Sequence, residues 1–162
     1  MPTANISICT VGISTEYEPK SGVIFVDLFL SMTLRKYTMP KTVLIVDDEP
    51  NIVVPIEFLM EQNGYSVLVA GSGEEALEII AKYEPDLVLL DIMLPGVDGY
   101  EVCEIIRLNP EWQEMKIIFL TAKGRDVDMA KGMVLGADAY IIKPFSNVDI
   151  LENVRKLLDD PP

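Results

Sequence analysis

From Lys41 onward the chain alternates short apolar runs with longer amphipathic stretches five times over, the sequence form of a parallel sheet covered by helices. The runs are Thr42 to Val46, Tyr65 to Val69, Leu87 to Leu90, Lys116 to Leu120 and Ala139 to Ile142. They are near-continuously apolar and mostly β-branched, as strands buried on both faces are. Helices are expected in the intervals, and three starts carry a side-chain oxygen followed three residues on by an acid. These are Ser72 with Glu75, Asp98 with Glu101 and Ser146 with Asp149. Gly64 and Gly136 fall where helices should stop. Pro55 is discordant, and is expected in the first turn of the first helix, where a missing N–H costs little.

A chain of 162 residues, 49% hydrophobic and 24% charged, has enough material for one packed domain and is too short for two ordinary ones. Its net charge of −13 argues against a nucleic-acid or anionic-membrane surface, because phosphates would be repelled. There is no histidine, which excludes histidine acid–base catalysis, Ser-His-Asp triads and histidine-ligated metals. Cys9 and Cys103 form no metal-ligand spacing and no disulfide framework, in keeping with a reducing, cytoplasmic setting.

The acidic excess sits entirely after Met39, since Glu16, Glu18 and Asp27 balance Lys20, Arg35 and Lys36 before it. Residues 1–38 fit no element of the alternating pattern. Their apolar run Val23 to Leu30 is broken by Asp27 and falls far short of the ~20 residues that span a bilayer. The basic pair Arg35-Lys36 follows that run, where a secretory signal would have it first. The expectation is a non-domain extension over 1–38, either disordered or upstream of the true start, a domain over 39–158 and a tail over 159–162. The competing reading of 1–38 is an arm that adds an edge strand or mediates dimerisation.

Ligands of open parallel sheets bind outside the carboxyl ends of the strands, so the informative residues follow each apolar run. These are Asp47 and Asp48 after the first, Asp91 after the third, Thr121 after the fourth and Lys143-Pro144 after the fifth. Singly, each also reads as a solvated turn, a helix cap or a surface charge. Gathered at one sheet edge, three carboxylates would repel and raise one another's pKa unless a cation joined them. Mg²⁺ suits them, being a hard ion that takes carboxylate, carbonyl and water oxygens.

The segments Val43-Leu44-Ile45-Val46-Asp47-Asp48-Glu49-Pro50, Asp86 to Gly99, Leu120-Thr121-Ala122-Lys123 and Gly136 to Phe145 resemble, in order and spacing, the receiver domains of bacterial two-component response regulators. The resemblance covers roughly residues 40 to 158. It implies a doubly wound, flavodoxin-like α/β fold with a five-stranded parallel sheet in the order 2-1-3-4-5 and five helices, one of them near Asp126 to Leu135. It also implies that Asp91 is the phosphoacceptor, taking its phosphoryl group from a histidine kinase or histidine phosphotransfer protein. Asp47, Asp48, Asp91 and the backbone carbonyl of Met93 would then hold Mg²⁺. Lys143 and Thr121 would contact phosphoryl oxygens, with Lys143-Pro144 in cis and Tyr140 as the switch aromatic.

The same resemblance makes the chain a stand-alone cytoplasmic signalling switch that catalyses only its own phosphorylation and dephosphorylation. The fourth helix, fifth strand and fifth helix would bind a downstream protein or a second copy. Met93 and Lys123 stand where hydrolysis is tuned and neither orients an attacking water, so self-dephosphorylation should not be unusually fast. Three other readings compete. An aspartyl-phosphate phosphatase wants a second acid where Met93 stands; a phosphorylation-independent module would not need all five site residues; and a flavin site would find the acidic loop after the first strand repulsive.

Overall fold

The computed structural model describes residues 40–122 and 133–158, and these build a five-stranded, fully parallel sheet with helices on both faces. Along the chain run β1 (Thr42–Val46), α1 (Pro50–Gln62), β2 (Ser66–Ala70), α2 (Gly73–Tyr83) and β3 (Leu87–Asp91). Then come α3 (Gly99–Leu108), a single 3₁₀ turn (Pro110–Trp112), β4 (Lys116–Thr121), β5 (Ala139–Ile142) and α4 (Asn147–Leu158). The strand order is β2-β1-β3-β4-β5, the doubly wound topology expected from the sequence. Of the helix expected near Asp126 to Leu135, only the last turn lies within the described residues, with Met133 and Val134 helical. The segments 1–38 and 159–162, and Lys123, lie outside them.

Successive side chains of a strand point to opposite faces, and here each face has its own core. Val43 and Ile45 of β1, Leu87 and Leu89 of β3, and Ile118 and Leu120 of β4 pack with Val53, Ile56 and Met60 of α1 and Ile150 and Val154 of α4. Leu44, Val46, Val88, Leu90, Ile117 and Phe119 take the other face with Ala76 and Ile80 of α2 and Tyr100, Val102, Cys103 and Ile106 of α3. Burying each such aliphatic side chain contributes about 1.5–3 kcal/mol. The double burial expected of all five strands holds for β1, β3 and β4. Strands β2 and β5 are the sheet edges and are only partly covered, with Val69 and Ile142 exposed.

The local signals act largely as their chemistry requires. Asp98 and Glu101 form a reciprocal capping box on α3, and Ser146 and Asp149 exchange the same bonds ahead of α4. Ser72 accepts from the Glu75 amide, but Glu75 reaches one residue further back, to the Gly71 amide, so that box is opened by one position. Gly64 and Gly136 adopt the left-handed φ of +85° and +94° expected at helix ends. The expected position of Pro55 needs correction: α1 begins at Pro50, which takes the first-turn place, and leaves Pro55 inside the helix. Its missing N–H deprives the Asn51 carbonyl of its partner, and both residues are exposed to water, which limits the cost. Strand β2 starts at Ser66 because the Tyr65 N–H is taken by the Met60 carbonyl at the end of α1.

One polar cluster ties β5 to the rest. Arg107 of α3 donates through Nε to the Gly136 carbonyl (2.7 Å), through Nη1 to the Met115 carbonyl (2.8 Å) and through Nη2 to Asp138 Oδ2 (2.9 Å). Asp138 Oδ2 also accepts from the Ile117 amide at 2.8 Å, and the Asp138 amide donates back to the Ile117 carbonyl. Charge-assisted, partly buried bonds of this kind are each worth about 1.5–3 kcal/mol, against about 0–1 kcal/mol for an exposed ion pair. Arg107→Ala should therefore lower the urea-unfolding free energy by about 2–4 kcal/mol, while Lys41→Ala, which removes the exposed pair with Asp86, should cost less than about 1 kcal/mol. Equal losses for the two variants would contradict this account.

Candidate functional site

The order of the strands reverses at β1 and β3, and the crevice beyond their carboxyl ends is where this topology places ligands. Asp47 follows β1 directly, and its amide bonds to the Ala70 carbonyl at the end of β2. Asp91 is the last residue of β3, in register with Leu120, and Thr121 is the last of β4, in register with Ile142. The strand runs read from the sequence stop one residue short of both. Being inside the ladder, Asp91 and Thr121 have backbones fixed by the sheet rather than by a loop. Among the described residues, Asp47, Asp91 and Thr121 are the buried polar ones in an otherwise apolar interior.

Lys143, just past β5, is anchored by its amide to the Thr121 carbonyl at 2.8 Å, and the Lys143-Pro144 peptide is cis. Its ammonium donates to Asp47 Oδ2 at 2.6 Å and to Asp91 Oδ2 at 2.9 Å. The three side chains are 12%, 0% and 5% exposed. The remaining oxygens are held by the turns that follow: Asp47 Oδ1 accepts from the Glu49 amide and Asp91 Oδ1 from the Met93 amide. Gly99 at the start of α3 lies so close to β3 that a Cβ there would overlap the Asp91 carbonyl oxygen, so the loop from Asp91 closes tightly onto its own strand.

Burial raises the Asp47 carboxyl above its usual pKa, and the Asp91 charge pushes the same way; the hydrogen bonds from Lys143 and Glu49 oppose this without cancelling it. Burial alone would lower the Lys143 ammonium, but its bonds to Asp47 and Asp91 outweigh burial and hold it above the ordinary lysine range. Lys143 is therefore charged at neutral pH.

Of the positions singled out in the sequence, Asp47, Asp48, Asp91 and Lys143 thus converge. One ligand oxygen each from Asp47, Asp48 and Asp91 lie within 4.8 Å of one another, with Asp48 exposed at the mouth. An all-oxygen set of this spacing suits octahedral Mg²⁺, whose ligands stand ~2.0–2.1 Å from the ion. Tyr140 is half-buried, with its ring edge-on to Phe119 at 6.1 Å between centroids. The Met93 side chain is 57% exposed. Sequence reasoning did not single out Glu49, whose carboxylate comes 3.7 Å from the Lys143 ammonium. Its place directly after the acidic pair was the signal available.

Residues 43–155 match the family model described as the response regulator receiver domain. The chain belongs to this family. Solved structures agree. A protein from Chloroflexus aurantiacus described as a response regulator is 38% identical, with a TM-score of 0.71 and coverage of 75% of this chain and 99% of that one. A CheY-like receiver domain protein from Methanospirillum hungatei is 35% identical, with a TM-score of 0.69 and coverage of 75% and 96%. The BeF3-activated receiver domain of DrrB, a Thermotoga maritima protein, is 32% identical, with a TM-score of 0.68 and coverage of 75% and 99%. Receiver domains are signalling modules of two-component systems rather than enzymes in the usual sense, and they typically bind Mg²⁺ at an aspartate cluster of this kind. No helix among the described residues of this receiver is long and apolar enough to cross a membrane.

Removing the ammonium would leave two buried carboxylates facing each other. Lys143→Met should therefore destabilise the metal-free receiver by about 3 kcal/mol at neutral pH. Millimolar Mg²⁺ should restore stability to this variant more than it adds to the wild type. Urea unfolding with and without Mg²⁺ measures both, and an equal Mg²⁺ increment in the two proteins would contradict the assignment of one shared charge site.

Proposed function

We propose that this receiver takes a phosphoryl group onto Asp91 from a phosphohistidine of a histidine kinase or phosphotransfer protein, with Mg²⁺ held by Asp47, Asp48, Asp91 and the Met93 backbone carbonyl. The observation that carries the reading is the Lys143 ammonium bridging Asp47 and Asp91 beside Asp48, a fixed positive charge and three carboxylates around one strand end. One carboxylate oxygen of Asp91 forms the P–O bond as the P–N bond breaks, and the electron pair goes to the imidazole nitrogen. Such a transfer needs alignment and charge neutralisation more than covalent help. Bound Mg²⁺ supplies the neutralisation at the phosphoryl oxygens. Lys143 supplies a second cation there, and Thr121, the last residue of β4, would donate its hydroxyl to another oxygen.

The working unit in this reading spans residues 39–158, which contains the whole matched stretch 43–155. The response passes from Thr121 and Lys143 to β5, where Tyr140 packs edge-on against Phe119 and acts as the switch aromatic. β5, α4 and the fourth helix expected near 126–135 would then bind a downstream protein or a second copy in the cytoplasm, with no direct nucleic-acid contact. The net charge of −13 supports the last point. The 32% identical DrrB receiver is described as BeF3-activated, which supports a site that accepts a phosphoryl mimic.

Incubation with acetyl phosphate and Mg²⁺, followed by borohydride trapping and peptide mass spectrometry, should place the label on Asp91. Asp91→Asn and excess chelator should each reduce it to background. Full labelling of Asp91→Asn, or labelling indifferent to chelator, would remove the assignment.

A further inference from the structure

The loop from Asp91 to Gly99 is held from two directions. Its own strand and helix hold the ends, through the Met93 amide on Asp91 Oδ1 and the close approach of Gly99 to the Asp91 carbonyl. Its middle is held by a different helix. Glu74, in the first turn of α2, accepts from the Val97 amide through Oε1 at 3.2 Å. The two backbones touch closely: a Cβ on Gly73 would overlap the Val97 carbonyl oxygen, and a Cβ on Gly96, whose φ is +75°, would overlap the Glu74 carboxylate.

The capping bonds of this helix are made by other residues, Glu74 adding only a first-turn charge. The Ser72 hydroxyl oxygen caps the Glu75 amide, and Glu75 takes the Gly71 amide, so the polar work of this helix start is done by its neighbours. The Glu74 carboxylate is turned instead to a loop 23 residues away in sequence. That loop carries Met93, whose carbonyl oxygen is the ligand of the proposed Mg²⁺ site that no side-chain rotamer can adjust. A backbone ligand helps an ion with strict octahedral demands only if the loop is already in place before the ion arrives.

We infer that Glu74 is a positioning residue for the Mg²⁺ site: by fixing Val97 it holds the loop that presents the Met93 carbonyl to Asp47 and Asp91. This rests on the function proposed above. It assigns Glu74 no contact with the ion or the phosphoryl group.

The test is a Mg²⁺ titration of the full chain read from ¹H–¹⁵N amide shifts, in wild type, Glu74→Ala and Glu74→Gln. Glutamine keeps an oxygen acceptor for Val97 but removes the charge; alanine removes both. Glu74→Ala should bind Mg²⁺ about fivefold more weakly, on the order of 1 kcal/mol, as for one lost exposed hydrogen bond, with an unfolding midpoint within a few degrees of wild type. Glu74→Gln should stay within about twofold of wild type, since the bond survives. In the metal-free protein, exchange of the Val97 amide should be faster in Glu74→Ala alone.

Equal losses in Glu74→Ala and Glu74→Gln would show that only charge matters and would overturn the inference. So would unchanged Mg²⁺ affinity in Glu74→Ala while the wild type binds Mg²⁺ and labels at Asp91, a result that leaves the proposed function standing. A wild type whose Asp47, Asp48 and Asp91 amides ignore Mg²⁺ would overturn both.

Discussion

The site depends on the Lys143 ammonium lying between two buried carboxylates. Two like charges at this separation repel by several kcal/mol at an effective dielectric of about 20, and burial adds a desolvation cost for each. One cation bonded to both, at 2.6 and 2.9 Å, offsets that repulsion. It also links three strands, since Asp47 follows β1, Asp91 ends β3 and Lys143 follows β5. Any ligand that changes the charge on Asp91, or brings a second cation to Asp47, alters what holds Lys143, and through the Lys143 amide on Thr121 it also bears on the end of β4. In the proposed function, binding and conformational response would thus share one set of bonds, as a two-state switch requires.

The sheet makes this arrangement inexpensive to build. Parallel strands all end on the same edge, so residues remote in sequence meet without any long loop having to find its place. The double core sets the strands rigidly, Arg107 and Asp138 fix the beginning of β5, and four residues later that strand delivers Lys143. The charged group reaches the crevice because β5 pairs with β4 in the register that sets Ile142 against Thr121, with Lys143 directly beyond.

Much of this was legible in the sequence because it rests on periodicity and on strand ends. β1 and β5 have the bounds read from the apolar runs, and the converging residues Asp47, Asp48, Asp91 and Lys143 were identifiable from position alone. What escaped was decided by contacts between elements. That β2 and β5 are half-covered follows from their place at the edges, which apolar content does not encode. Pro55 reads as a first-turn residue until Pro50 is seen to hold that place. Glu49 and Glu74 look like ordinary surface acids, and only the folded loops show one near Lys143 and the other on Val97.

The central claim is that one crevice holds Mg²⁺, the Asp91 phosphoryl group and Lys143 together. A crystal structure of this chain with Mg²⁺ and beryllofluoride tests it most directly. The beryllium should lie on an Asp91 oxygen and Mg²⁺ should be ligated by the Asp47 and Asp91 carboxylates and the Met93 carbonyl, with Asp48 in direct or water-mediated contact. The Lys143 ammonium should have moved from Asp91 onto a fluoride. Beryllofluoride on any other side chain, or Lys143 still bonded to the Asp91 carboxylate with the mimic in place, would contradict it.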